Sequence, residues 1–315
     1  MDIRRLFVFA VLSAFFCFPA RAETSAATKA ATSAMADRQA EKRPQRGALF
    51  RIRHQDRTTY LFGTIHAGKP GYFPLNAEVT QALAASRRLA VEVDMRRQDR
   101  FEAALTKYGM YPDGGSISRH VSAHTLGRLK KATDTIGIPF DNIARMKPWM
   151  IANLLTSIVI ERHGFQLGHG VDLHLLTLAG SAKTVLELES AAYQLSLFDG
   201  MPVADQESYL LETLESIENG EGMEQAHAMV NAWENADLDT LDAFLLREQK
   251  DKTISSTFLQ EVLLDRRNAG MADKIAGYLK NGGTAFVAVG MLHLVGERGV
   301  PALLRKRGYR VEKVY

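Results

Sequence analysis

Two stretches of this chain run an apolar segment into Gly-x-x-His: Tyr60-Leu61-Phe62-Gly63-Thr64-Ile65-His66, and Ala285-Phe286-Val287-Ala288-Val289-Gly290-Met291-Leu292-His293. A third apolar run, Leu89-Ala90-Val91-Glu92-Val93-Asp94, carries a carboxylate in its middle. Burying Glu92 among such neighbours is costly unless a cation, an arginine or a protonated imidazole stands beside it. Two neutral imidazoles and one carboxylate are a donor set for a divalent metal that keeps positions open for water and substrate. A metal held by His66, Glu92 and His293 would lower the pKa of its water and polarise a carbonyl, the two steps a hydrolase requires. The same residues also serve a metal-free hydrolase in which a histidine orients water and Glu92 takes its proton. Spacing does not separate the two.

The three runs are short, β-branched or aromatic, and bounded by glycine or charge, the pattern of buried strands that deliver side chains to a sheet edge. Glycine before each histidine lets the backbone bend sharply there. Open α/β sheets bind ligands at that edge. Around these runs the chain predicts an opening hairpin, Leu49 to Arg53 and Thr58 to Gly63, about a polar turn at residues 54–57. A helix N-capped by Asn76 leads into the Glu92 strand. Residues from Gln98 to His163 are helical, with Pro148 at a helix start. Val171 to Ala179 is a short helix with Asp172 in its first turn, and Lys183 to Leu188 a strand. Helix resumes from about Pro202 to Lys280, interrupted at residues 219–222 and near Asp251. A strand from Thr284, a helix through Leu304 and a strand Tyr309 to Val314 close the chain. The class is α/β, a mixed sheet flanked by helices with a large helical insertion, and no fixed-period repeat points to a solenoid.

Residues 1–22 have the layout of a secretory signal peptide: a basic start, apolar residues 6–18, then Pro19-Ala20-Arg21-Ala22 with small residues before a cut after Ala22. This predicts a periplasmic or secreted protein without a membrane span after cleavage. The sole cysteine, Cys17, lies inside that leader, so no disulfide is expected in the mature chain. Removing the leader takes three arginines and one aspartate from a formal charge of +3, leaving +1, which speaks against nucleic acid as a partner. Residues 23–46 read as a flexible tether rich in Ala, Thr, Ser and charge, and residues 47–315 as one α/β domain.

Among the remaining histidines, His120 and His124 have the i, i+4 spacing of a helical metal pair, but Val121 replaces the glutamate of the zinc-protease signature. His163, His169 and His174 read as loop or helix-face residues, and His54 and His227 as solvated. Asp172 reads as a first-turn acid favoured by the helix dipole. Glu189, Arg267 and Asn268 would pass as surface.

Taken in order, several pieces resemble the TraB/GumN family, which is similar to the Tiki metalloproteases and more distantly to erythromycin esterases and ChaN-like haem-binding proteins. The pieces are residues 60–66 and 89–93, Lys147-Pro148-Trp149, Gly170-Val171-Asp172, Leu188-Glu189-Ser190 with Gln194, Arg267-Asn268 with Met271, and Val289 to Leu294. The resemblance implies an active-site core of His66, Glu92 and His293, joined by Arg267 and Asn268 from a helix and by Asp172 and Glu189 nearby. It implies a divalent metal, manganese or cobalt, on the Tiki side and metal-free hydrolysis on the esterase side; zinc is the third divalent metal the two imidazoles and the carboxylate could take. The expected activity is that of a periplasmic hydrolase, first of all a divalent-metal-dependent peptidase using the two Gly-x-x-His histidines and the buried glutamate, with a metal-free esterase-type hydrolase of a peptide or small molecule as the alternative. The ChaN likeness leaves open a non-catalytic envelope protein that holds haem or another small ligand.

Overall fold

The protein is described from a computed structural model covering residues 44–281 and 284–315. The signal peptide and nearly all of the tether expected from the sequence lie outside the described residues.

Six strands form one mixed sheet. β1 (Leu49–His54) and β2 (Arg57–Thr64) make the expected hairpin, with Leu49 opposite Phe62 and His54 opposite Arg57. Its turn is tighter than the sequence suggested, two residues rather than four, and Gln55 takes a left-handed φ of 53° to close it. Beyond the hairpin lie β3 (Arg88–Val91), β4 (Thr184–Glu187), β5 (Ala285–Gly290) and β6 (Arg310–Lys313), in the spatial order β4-β3-β5-β2-β1-β6. β2, β5, β3 and β4 run parallel, while β1 is antiparallel to both of its neighbours. All six residues of central β5 are buried, which explains its unbroken apolar sequence: a strand covered on both faces has no polar side to show. The edge strands β4 and β6 are short and carry charge, the usual protection of an exposed edge.

The helices fill the crossovers. α1 (Ala77–Ala85) joins β2 to β3. Between β3 and β4 come α2 (Gln98–Gly109), α3 (Ala123–Ile136), α4 (Phe140–Ile143), α5 (Pro148–Arg162) and α6 (Val171–Ala179). Between β4 and β5 come α7 (Ala191–Asp199), α8 (Val203–Asn219), α9 (Glu221–Glu234), α10 (Leu238–Glu248), α11 (Ile254–Thr257) and α12 (Arg267–Asn281); α13 (Val300–Lys306) precedes β6. An aromatic seam holds the insertion together: Trp149 stacks on Phe198 at 5.2 Å, and Phe198 meets Phe258 edge-on at 4.9 Å. Among the described residues no helix is long and apolar enough to cross a membrane.

Three local expectations need correction. Asn76 does sit at the N-cap of α1, but its side chain makes no cap bond; its Oδ1 accepts from the Tyr315 hydroxyl at 3.0 Å, tying the C-terminal residue to the core. The helical run after Pro202 has a third break, at residues 235–237, where Ala236 is left-handed at φ 51° without a glycine to signal it. The segment Phe258–Arg266 is wound as a π-helix, a wider coil that no apolar periodicity announces.

Candidate active site

The four parallel strands end at one edge of the sheet, and their last residues carry the site. Thr64 is in register with Gly290, and Val91 with Ala288 and Glu187. His66, Glu92, Glu189 and His293 therefore leave adjacent strands side by side. β-Type pairing continues past β3 and β4, with the Leu188 amide on the Val91 carbonyl and the Glu189 amide on the Glu92 carbonyl, both at 2.8 Å.

His66 is positioned by α6. The start of that helix lies against the turn after β2: the Val171 amide donates to the Ile65 carbonyl at 2.9 Å, and Gly170 packs so closely on the His66 carbonyl that a side chain there would collide with it. Asp172, one residue on, is thereby aimed at the ring. Its Oδ2 stands 2.8 Å from His66 Nδ1 and its Oδ1 accepts from the Thr64 hydroxyl at 2.7 Å. A carboxylate at Nδ1 fixes the tautomer, with the proton on Nδ1 and the Nε2 lone pair facing inward. Asp172 is indeed a first-turn acid, and it is also the group that orients His66. Thr64 was missed in the sequence; it shares the strand face of His66 by i, i+2 alternation, which is the signal that would have found it.

His293 lies in the 3-10 turn Met291–Leu294 after β5 and is fully buried. Its Nδ1 is 2.6 Å from Asn268 Oδ1, while Asn268 Nδ2 donates to the Arg298 carbonyl at 3.0 Å, a pairing that assigns the amide orientation. The Nε2 atom is buried without a hydrogen-bond partner and stands 3.6 Å from Glu92 Oε1. Burial lowers the His293 pKa to about 3, opposed by Glu92 and assisted by Arg267 and His66, so the ring is neutral at ordinary pH.

Glu92 emerges one residue past β3 and is 5% exposed. Its Oε1 accepts from the Gly290 amide at 2.6 Å; its Oε2 is paired with Arg267 and lies 3.3 Å from Gln194 Nε2. Burial alone would raise its pKa, but Arg267 first, then His293, His66 and the Gly290 amide, outweigh it and bring the value down to about 2. Arg267 also donates from Nε to both oxygens of Glu189, at 3.1 and 2.9 Å, and from Nη1 to the Leu263 carbonyl. Burial disfavours its charge, but the two glutamates hold its pKa well above the ordinary arginine value. Arg267 and Asn268 are thus not surface residues: they are 1% and 2% exposed. They are consecutive at the start of α12, directly after the π-helical segment, and both side chains reach inward. The carboxylates that Arg267 holds are the protein's own.

The space between these groups is marked by Gly290. A methyl carbon built on it would stand 3.3 Å from Glu92 Oε1, 3.5 Å from His66 Nε2 and 3.7 Å from the His293 ring. Two imidazole Nε2 atoms and a carboxylate oxygen border this gap. As the side chains stand, no group of three His, Cys, Asp or Glu among the described residues is arranged to hold a metal ion, Glu92 being engaged on both oxygens. The donor chemistry nevertheless suits a dication. Each Nδ1 is backed by an oxygen, and Glu92, Glu189 and Asp172 bring three buried formal negative charges against the single charge of Arg267.

The other histidines stay outside. His120 caps the turn before α3 rather than lying on it, and stacks on Tyr111 at 4.1 Å, so it forms no helical pair with His124. His174 stacks on Phe73 at 3.8 Å, and burial lowers its pKa. His163, His124 and His227 are exposed, while His54 is half-buried beside Tyr309.

Comparison with known sequences places the chain in a family. The TraB/PrgY/gumN family model matches residues 48–313, and the chain belongs to that family. Two relatives, each called "Uncharacterized protein YbaP", come from Shigella flexneri and from Escherichia coli (strain K12). Each is 29% identical over 255 residues, covering 79% of this chain and 89% of the relative. No solved structure matches the chain significantly.

Proposed function

We propose that this protein is a hydrolase, a peptidase or esterase, which activates water at the gap beside Gly290. The observation that supports the reading most is the pair of imidazoles, each held at Nδ1 by an oxygen acceptor, bordering one gap at the sheet edge with Glu92.

His66 is the proton acceptor in this account. Asp172 stabilises the imidazolium formed when Nε2 takes a proton from water, the role of a carboxylate behind a catalytic histidine. The water oxygen bonds to the substrate carbonyl carbon; the C–N or C–O bond then breaks as the proton on Nε2 passes to the leaving atom. His293, kept neutral by burial, accepts the water's other hydrogen and fixes its direction. Glu92 is a poor base, because Arg267 and the Gly290 amide stabilise its ionised form; its part is to place negative charge beside the gap.

A divalent cation is the second reading, favoured by the excess of buried carboxylate charge. His66 Nε2, His293 Nε2 and Glu92 Oε1 are the atoms that would hold manganese, cobalt or zinc, which would sharpen the acidity of water and polarise the carbonyl. The leader predicted over residues 1–22 supports a periplasmic site of action.

The test is to incubate chelated protein with peptide pools and aryl esters, alone and with each metal, while measuring metal content by mass spectrometry. Turnover that disappears in folded His66→Ala supports the proposal. Turnover without metal, and no stoichiometric metal on titration, eliminates the dication; no turnover under any condition overturns the hydrolase.

A further inference from the structure

Beside the catalytic gap lies a small pocket, about 40 Å³, that the chemistry above does not use. His66 and Gly290 line both spaces, so a group seated in the pocket adjoins whatever carbon faces His66 Nε2. The other walls are Trp233 and Val230 of α9, Leu241 of α10, and Met291 and Leu292 after β5. All five are at most 7% exposed. Trp233 is further fixed by its indole N–H, which donates to the Gly63 carbonyl at 3.0 Å. Ile65 and Met229, both half-buried, complete the lining, Met229 with a flexible thioether.

The polar side chains of the lining are those of Thr64 and His66, both engaged with Asp172. A charged or amide-bearing group would lose its water there without replacement. The volume corresponds to roughly three water-sized spheres at about 10–15 Å³ each, the size of a few carbon atoms. Apolar walls that are mostly buried describe a selector for a compact aliphatic group.

We propose, resting on the hydrolase reading, that this pocket receives the acyl-side substituent of the substrate and restricts it to an uncharged aliphatic group of about three to four carbons. The substrate class is then a peptide or ester with a valine- or leucine-like residue contributing the carbonyl that is cleaved. Met229, the half-buried and flexible member of the lining on α9, is the specificity-determining residue.

The experiment uses p-nitrophenyl esters of acetate, 3-methylbutanoate, decanoate and succinate, with calorimetric binding of 3-methylbutanamide and succinamate as a readout independent of turnover. The expected order of kcat/KM puts 3-methylbutanoate at least about tenfold above acetate, consistent with the few carbons gained in an apolar pocket, and succinate last. Met229→Trp, which puts a larger ring into the lining, should make acetate the best ester and abolish 3-methylbutanamide binding; Met229→Ala should extend acceptance toward decanoate. Circular dichroism establishes that both variants are folded. Hydrolysis with a flat ester series, or one unchanged by both substitutions, overturns the pocket and leaves the hydrolase. Binding of 3-methylbutanamide that Met229→Trp removes, without hydrolysis of any ester, keeps the pocket and overturns the hydrolase. Absence of both overturns both.

Discussion

The two Gly-x-x-His segments begin alike and end differently. Each follows a buried parallel strand, and each imidazole is held through Nδ1. His66, however, is backed by the carboxylate of Asp172 and is 10% exposed, while His293 is backed by the neutral amide of Asn268 and is not exposed at all. A carboxylate supports a ring that gains a proton; an amide in a dry site supports one that never does. Repetition of a motif therefore gives two placements, and the partner supplied by a distant helix sets the role.

The largest effect should come from the ion cluster both histidines share. Arg267→Met leaves Glu92 and Glu189 buried without their cation and should cost about 3–5 kcal/mol of stability, read by urea unfolding. Adding Glu92→Gln and Glu189→Gln should recover much of that loss. A mild single variant would show that Arg267 is not the counterion of the site.

On rate, the asymmetry predicts that Asp172→Asn lowers kcat on the order of a thousandfold with the fold retained. Asn268→Asp should change it only several-fold, while raising the His293 pKa by NMR. Equal losses would mean that the two rings do the same work. Gly290→Ala tests the gap they border: its methyl group, 3.3 Å from Glu92 Oε1, should block turnover without unfolding the protein.

A further difference between the two rings is read in acid. The folded-state pKa of His293 is depressed to about 3, so below its ordinary value of 6.5 the unfolded chain binds a proton that the folded one does not. Stability therefore falls as pH drops from about 6.5 toward 3. Glu92 acts in the same direction, its contribution fading as pH falls from about 4.5 toward 2. In His293→Gln the first loss should vanish and the second remain, measurable as the difference in urea midpoint between pH 7 and pH 4.

The strand-borne half of this site was legible because strands announce themselves: β5 is an unbroken apolar run, and a carboxylate in the middle of such a run, as Glu92 is, demands a partner. The helix-borne half was not. Arg267 and Asn268 look like surface because they stand in a charged stretch, and the π-helical segment before them has no apolar rhythm to reveal which face turns inward. Asp172 satisfied a local rule, the first-turn acid, so nothing in its sequence setting asked for a second role. Resemblance to a family pointed to these positions; only the packing of α6 and α12 on the sheet edge says what each touches.

In the proposed reaction His66, oriented by Asp172, takes the proton from water. The most direct test is the pH dependence of kcat/KM for hydrolysis of p-nitrophenyl 3-methylbutanoate by wild-type protein and by Asp172→Asn. Expected are an acid limb set by one ionisation in the wild type, activity being lost as His66 gains its proton, and in the variant a deep loss together with a shift of that limb to lower pH. A profile and rate left unchanged by the substitution would contradict it.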